Sequence, residues 1–321
     1  MAIQQPSDLH DVLVVGGGPA GVSAAITLAR ACRSVTVVDC LDIGRSDWRQ
    51  RNRNYPGFPD GITAVELSRL GRQQAEQYGA HFIVGEVARL VQADSVFVAS
   101  GEDFEVQARS VILATGVRDR WPVFPGYESY IGKTMHWCLY CDGYEMRGKR
   151  VVLVGNDEDA AQLAVQFLAF TDDVTLLTNS GSLGLPQALV ERLASRGIPT
   201  VIGRLTDAKA KGDGILESIT IDDRESLPLD HLFSHQGADP NTELARALGV
   251  ELNEYGYIDT DLHARTSLPG VYAAGDVTRR FSHQVATAIH EGTTAATTID
   301  FELFERDQAA LDLQRVSTLA G

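Results

Sequence analysis

Short runs of consecutive apolar residues, each handing over to glycine-rich or helix-patterned sequence, set the rhythm of the chain. Residues 12–15 form the first run, and the lack of polar alternation predicts a strand buried on both faces of a parallel sheet. The run leads straight into Gly16-Gly17-Gly18-Pro19-Ala20-Gly21 and then into residues 22–30, where Ala and Leu recur at helical spacing. A second apolar run, residues 35–38, ends in Asp39. The same strand–helix–strand pattern returns at 151–154, about 157–170 and 174–177. Another strand is expected at 111–113 and a long helix from near His283. Strands alternating with helices predict an α/β protein with mainly parallel sheets.

The first unit carries chemistry. Gly16, Gly18 and Gly21 fit G-x-G-x-x-G: the first permits a tight turn, the second lets backbone approach a pyrophosphate, and the third lets helix pack on strand. Pro19 and Ala20 open the helix, whose N-terminal N–H groups suit a phosphate. Asp39 lies 23 residues past Gly16, where an acid meets an adenosine ribose hydroxyl. A glycine-rich turn alone says little; strand, glycines, helix, strand and terminal acid in register say more.

Charge and composition narrow the classes. Lys and Arg number 28 against 43 Asp and Glu, a net charge of −15, which disfavours nucleic acid as a partner. The apolar share of 44% and charged share of 22% describe an ordinary globular protein. No apolar run reaches the ~18 residues of a membrane span, and residues 1–10 lack a secretory signal pattern, so a cytoplasmic protein is expected. Four cysteines do not make a disulfide scaffold. Cys138 and Cys141 form a C-x-x-C closed by Asp142-Gly143, a spacing that brings two sulfurs within bonding reach. Zinc would need a second such pair, which the spacing of Cys32 and Cys40 does not supply; no metal site is expected. Those two are read as small buried residues beside the first βαβ unit.

Residues 111–113 precede Ala114-Thr115-Gly116, and Gly270-Val271-Tyr272-Ala273-Ala274-Gly275-Asp276 precedes the late helix. Both resemble motifs of flavoproteins with two dinucleotide-binding domains. Together with Asn54-Tyr55-Pro56-Gly57-Phe58-Pro59, Cys138-Leu139-Tyr140-Cys141-Asp142-Gly143 and Pro240-Asn241-Thr242, they resemble, in order and spacing, the low-molecular-weight thioredoxin reductases, to about Asp300. The resemblance implies two three-layer dinucleotide-binding-type domains, one inserted in the other. FAD would occupy a discontinuous domain, residues 1–117 and 246–321, and residues 118–245 would carry the cysteines. It implies FAD contacts at Gly16, Gly18, Pro19, Ala20 and Asp39, and at Ala114, Thr115, Gly116, Gly275 and Asp276. It adds Gly44, Arg45, Asn54 and Val87, with Gln284, Val285 and Ala286 at the late helix. Cys141 would exchange electrons with flavin C4a, Cys138 would attack the substrate sulfur, and Asp142 would be acid and base. It also implies a homodimer and rotation of the domains about the crossings near residues 117 and 246. His136 is a candidate to stabilise a thiolate, or simply fills a loop.

The second unit departs from that family. It reads Gly155-Asn156-Asp157-Glu158-Asp159-Ala160, with Asp157 where a glycine should admit a pyrophosphate. Three carboxylates at a helix N-terminus complement its dipole and repel phosphate. No Lys or Arg occurs from Val151 to Glu191, so nothing local holds a 2′-phosphate. NADPH is therefore not expected to be the reductant; a second FAD or another nucleotide is the alternative occupant there. The expected function is a disulfide oxidoreductase moving two electrons between FAD, the Cys138–Cys141 pair and a thioredoxin-like protein or small disulfide, with a ferredoxin-type donor as one source. The alternatives are an oxygen-dependent dithiol oxidase and a non-catalytic flavin redox sensor. Arg45, Arg49, Arg51 and Arg53 form a basic stretch, read as a solvated loop or a docking patch for an acidic partner. An aromatic from the tail beyond Asp300, such as Phe301 or Phe304, is a candidate cover for the flavin, the alternative being an amphipathic helix end in a dimer interface.

Overall fold

A computed structural model describes residues 9–41, 45 and 50–319, with side chains to residue 312. It divides into two compact units, one of residues 1–48, 62–118 and 240–321, the other of 49–61 and 119–239. The crossings fall at 118 and 240 where sequence placed 117 and 246, and the segment 49–61 groups with the second unit. At the crossings, Val117–Asp119 and Ala238–Pro240 pair as a two-stranded ribbon.

In the first unit, the parallel strands run His81–Val84, Val35–Asp39, His10–Val15, Glu105–Leu113, with Val271–Ala273 on the far side of the last. Alternate residues of His10–Val15 enter opposite cores, which makes the unit three-layered. Val12 and Val14 pack with Leu28, Ile112 and Ile299 under the helices Pro19–Arg30 and Val285–Leu319. Leu13 and Val15 pack with Leu90, Phe97 and Val271 under the antiparallel strands Arg89–Ala93 and Val96–Ser100. Each fully buried Leu or Ile contributes roughly 1.5–3 kcal/mol. The strand Glu105–Leu113 changes character along its length. Residues 105–110 alternate in burial beside the antiparallel partner, and 110–113 are buried throughout between two parallel ones.

The second unit repeats the scheme with a five-stranded parallel sheet ordered Met135–His136, His231–Ser234, Val151–Val154, Val174–Leu177, Thr200–Val201. Val151 and Leu153 face the helices Glu158–Phe167 and Gln187–Ser195, while Val152 and Val154 face a three-stranded antiparallel sheet of residues 205–228. The first of these helices stops three residues before the pattern suggested, because its last turn tightens: Phe170 N and Thr171 N both donate to Phe167 O. The α/β fold with two dinucleotide-binding-type domains is thus the one the motifs implied.

Two expectations need correction. Cys32 is exposed and Cys40 only half-buried. Cys32 has φ +61° just past the first helix, where Arg33 N reaches back to Leu28 O, so its position closes a helix end at the surface and does not fill a core. The second concerns the tail, which among the described residues continues the late helix and does not turn back toward its start. Val285–Leu319 is one continuous helix, so Phe301 stands 16 residues, about 24 Å, along the axis from Val285. Leu303 is fully buried against the first unit, and Asp307 pairs with Arg33 and Arg109.

Candidate functional site

The first βαβ unit ends in an open cradle. Gly16 has φ +104° and lies so close to Ala114 that a side chain would strike its carbonyl, so the turn admits only glycine. Gly17 N donates to Asp39 Oδ1 at 2.8 Å, which fixes the acid at the end of its strand against the turn. Around Gly18 a Cβ would meet nothing within 4 Å, and this residue caps the helix without any side-chain hydrogen bond. Pro19 begins the helix, Ala20 is buried beneath it, and no acid occupies its first turn. Unclaimed N–H groups beside open space fit a pyrophosphate.

The other cradle residues converge from distant sequence. Ala274 N donates to Leu113 O, setting the Gly275-Asp276 turn beside Ala114-Thr115-Gly116. Thr115 Oγ1 donates to Asn241 O at 2.7 Å and Asn241 Nδ2 returns to Thr115 O at 2.8 Å, so the Ala-Thr-Gly and Pro-Asn-Thr motifs lock together. Gln284 O accepts from Ala288 N, which places Gln284 at the N-terminus of the long helix, ahead of Val285 and Ala286. Val87 is buried in the core behind the sheet. Gly44 and Arg49 lie outside the described residues.

Arg45 Nη1 binds Asp276 Oδ2 at 2.6 Å, an ion pair that no local pattern announces. Of the basic stretch, Arg51 donates to Gly61 O and Arg53 pairs with Glu145, so each of these two arginines ties its own segment of chain. Glu291 was also missed. Buried on the long helix, it accepts from Gly275 N at 2.7 Å and Thr278 Oγ1 at 3.2 Å and pairs with Arg279, holding the Gly-Asp turn from below. Its signal was an acid on the helix face shared with Ala288, Ala295 and Ile299.

The second βαβ unit is finished in the opposite way. Asp157 caps its helix and accepts from Ala160 N at 2.8 Å, so the side chain itself occupies the N–H a phosphate would use. Glu158 and Asp159 follow in the first turn. Asn156 is spent on Ser182 O and Gly184 N. A cleft of about 490 Å³ opens there, lined by Trp121, Asn156, Asp157, Thr178, His235 and Gln236 among others, with Arg120 at its edge already paired with Asp239.

Cys138 and Cys141, in the same unit, are joined by a disulfide with their Cα atoms 5.2 Å apart. The short helix Leu139–Asp142 makes the turn, and Cys138 O accepts from Cys141 N and Asp142 N. Asn54, read from sequence as a flavin contact, lies on this pair: its Nδ2 approaches Tyr140 O at 3.4 Å and Cys141 Sγ at 3.8 Å. His136 and Asp142 are both buried, with His136 Nδ1 3.5 Å from Asp142 Oδ1. His136 does not fill a loop; it lies on a sheet strand, and its Nε2 is 3.2 Å from His231 Nδ1. His231 lies 95 residues away and had no sequence signal. Among the described residues, no cluster of three or more His, Cys, Asp or Glu is placed to hold a metal, and no helix is long and apolar enough to cross a membrane.

A dinucleotide cradle in one unit and a C-x-x-C disulfide in the other define a redox enzyme acting on sulfur. The chain belongs to the pyridine nucleotide-disulphide oxidoreductase family, whose model matches residues 10–292, and within it is of the thioredoxin reductase type. It is 32% identical to a thioredoxin reductase of Treponema pallidum over 293 residues, 89% of this chain and 95% of that one. The solved structure of HlmI superposes with a TM-score of 0.89 at 28% identity, covering 97% of this chain and 98% of that one. Thioredoxin reductase from Streptococcus pyogenes MGAS5005 superposes with a TM-score of 0.85 at 26% identity, covering 92% and 99%.

Proposed function

We propose that this protein is an FAD-dependent disulfide oxidoreductase that does not draw its electrons from NADPH. The observation that carries this reading is the contrast between two like βαβ units, one with uncapped N–H groups beside open space, the other with Asp157 seated on its own helix end. FAD, held at Gly16, Gly18, Asp39, Gly275 and Asp276, supplies a two-electron carrier. Arg45, paired with Asp276, holds that aspartate in place in the cradle.

The rest is the work of the chain. Cys141, which Asn54 approaches, would exchange electrons with that carrier, and Cys138 would exchange with a disulfide such as that of thioredoxin or a small molecule. Asp142, buried beside the pair, takes up and returns the thiol proton. A second reading uses the same residues in reverse: a dithiol is oxidised to its disulfide and oxygen is reduced to hydrogen peroxide. The same capped helix supports it, since a protein without a nicotinamide grip must receive electrons elsewhere.

The deciding experiment is anaerobic reduction of the purified protein by NADPH, NADH, reduced ferredoxin and dithiols in parallel, following the flavin band. A dithiol or ferredoxin should bleach it and micromolar NADPH should not; rapid bleaching by NADPH would overturn the proposal. Peroxide formed from a dithiol in air selects the oxidase reading. Cys138→Ser should abolish turnover in either direction; a cellular role intact in that variant would instead mark a non-catalytic sensor.

A further inference from the structure

Oxidising the Cys138–Cys141 dithiol makes one S–S bond and breaks two S–H bonds. The electron pair and one proton go to the flavin, so the second proton must leave the protein. The residues around Asp142 are arranged for that departure. Asp142 Oδ2 is buried without a hydrogen-bond partner among the described residues, although a buried carboxylate oxygen normally has one. Its other oxygen is 3.5 Å from His136 Nδ1, which is likewise buried and without a hydrogen bond. On its far side, His136 reaches His231 Nδ1 at 3.2 Å, with ring centroids 5.2 Å apart.

Backbone register builds this contact. The strand Met135–His136 pairs with His231–Ser234, with Met135 opposite Leu232 and His136 opposite Phe233, so the two imidazoles stand on adjoining strands. His231 is half-buried and follows Asp230, which pairs with Arg150 and Lys211 at the surface. The file Asp142–His136–His231 therefore runs from the redox turn to the outside.

We propose that His231 is the outlet of a proton relay, Asp142 to His136 to His231, serving the cysteine pair. The inference rests on the reading of Cys138–Cys141 as the redox couple. When the dithiol is oxidised, Asp142 takes the proton that the flavin does not, His136 Nδ1 accepts it, and His136 Nε2–H gives its own to His231 Nδ1. His231 releases a proton from Nε2 to water, and reduction runs the file inward. His136, Asp142, Asp230 and Lys149 are the charged and titratable groups that act on His231. Burial and His136 keep its ring neutral at pH 7, with its pKa lowered to about 4, as a through-route for protons requires. His231 touches neither sulfur in this scheme; it is a positioning and relay residue.

The test is anaerobic rapid mixing of holoenzyme with dithiothreitol across neutral to alkaline pH, for wild type, His231→Gln and the milder His231→Asn. The variants should keep full flavin content and bleach the flavin about tenfold more slowly near pH 7, with an altered pH profile and rescue by added imidazole. Histidine ring resonances give a readout independent of turnover: in His136→Asn the titration midpoint of His231 should rise from about 4, because the neighbouring ring that helps to lower it is gone. Equal rates in wild type and variants overturn the relay. So does a slower rate with an unchanged profile and no rescue, the pattern of a packing defect, or a His231 midpoint that does not move in His136→Asn. A wild-type flavin that dithiothreitol cannot reduce would instead remove the disulfide oxidoreductase reading, and the relay with it.

Discussion

Single residues decide both nucleotide-binding ends. Gly16 holds φ +104° with the Ala114 carbonyl against the place a Cβ would take. Gly16→Ala should therefore cost about 1–3 kcal/mol and yield protein that loses FAD on purification, read from the ratio of flavin to protein absorbance. A variant carrying full flavin would contradict the cradle. At His231 the sign of a pH effect can be worked out. The folded ring has its pKa lowered from 6.5 to about 4, by burial first and by His136 second. As pH falls, the unfolded chain binds this proton before the folded one does, so the contribution to stability is full above about 6.5 and is lost towards about 4. Denaturant titrations over that window should show a shallower acid limb for His231→Gln than for wild type; parallel limbs would refute the assignment.

At the scale of elements, the helix Glu158–Phe167 keeps the strand–helix–strand fold while its own N-cap side chain serves its first turn. Asp157 stabilises the helix by accepting from Ala160 N, and the neighbouring acids suit the dipole. Asp157→Ala should lower stability by about 1 kcal/mol, measured by urea unfolding, without making NADPH bleach the flavin. The long C-terminal helix is a structural brace. Glu302 accepts from the Tyr272 hydroxyl and pairs with Arg265, Asp307 pairs with Arg33 and Arg109, and Leu303 is fully buried. Removing residues 301–321 should destabilise the protein on the order of 3 kcal/mol and leave the flavin spectrum as it was. An altered flavin band with unchanged stability would restore the idea of an aromatic cover.

For the whole molecule, the division of labour between sequence and structure follows from range. Residues 12–39 spell the first βαβ unit locally, because burial on both faces writes continuous apolar runs and a tight turn admits only glycine. The capping of the second unit's helix by Asp157 was equally legible, since that side chain acts within one helical turn of itself. The C-x-x-C announced its own disulfide, the two partners being three residues apart. Contacts between segments far apart in the chain left no such mark. The Arg45–Asp276 pair, the support of Gly275 by Glu291, the placement of Asn54 at Cys141, and the His136–His231 contact exist only because strands and helices from distant segments are laid side by side. Local spacing determined which chemistries the chain carries, through sterics and capping that act over a few residues. Sheet register and helix packing alone decided which polar side chains stand next to that chemistry, because no short-range force encodes a neighbour a hundred residues away.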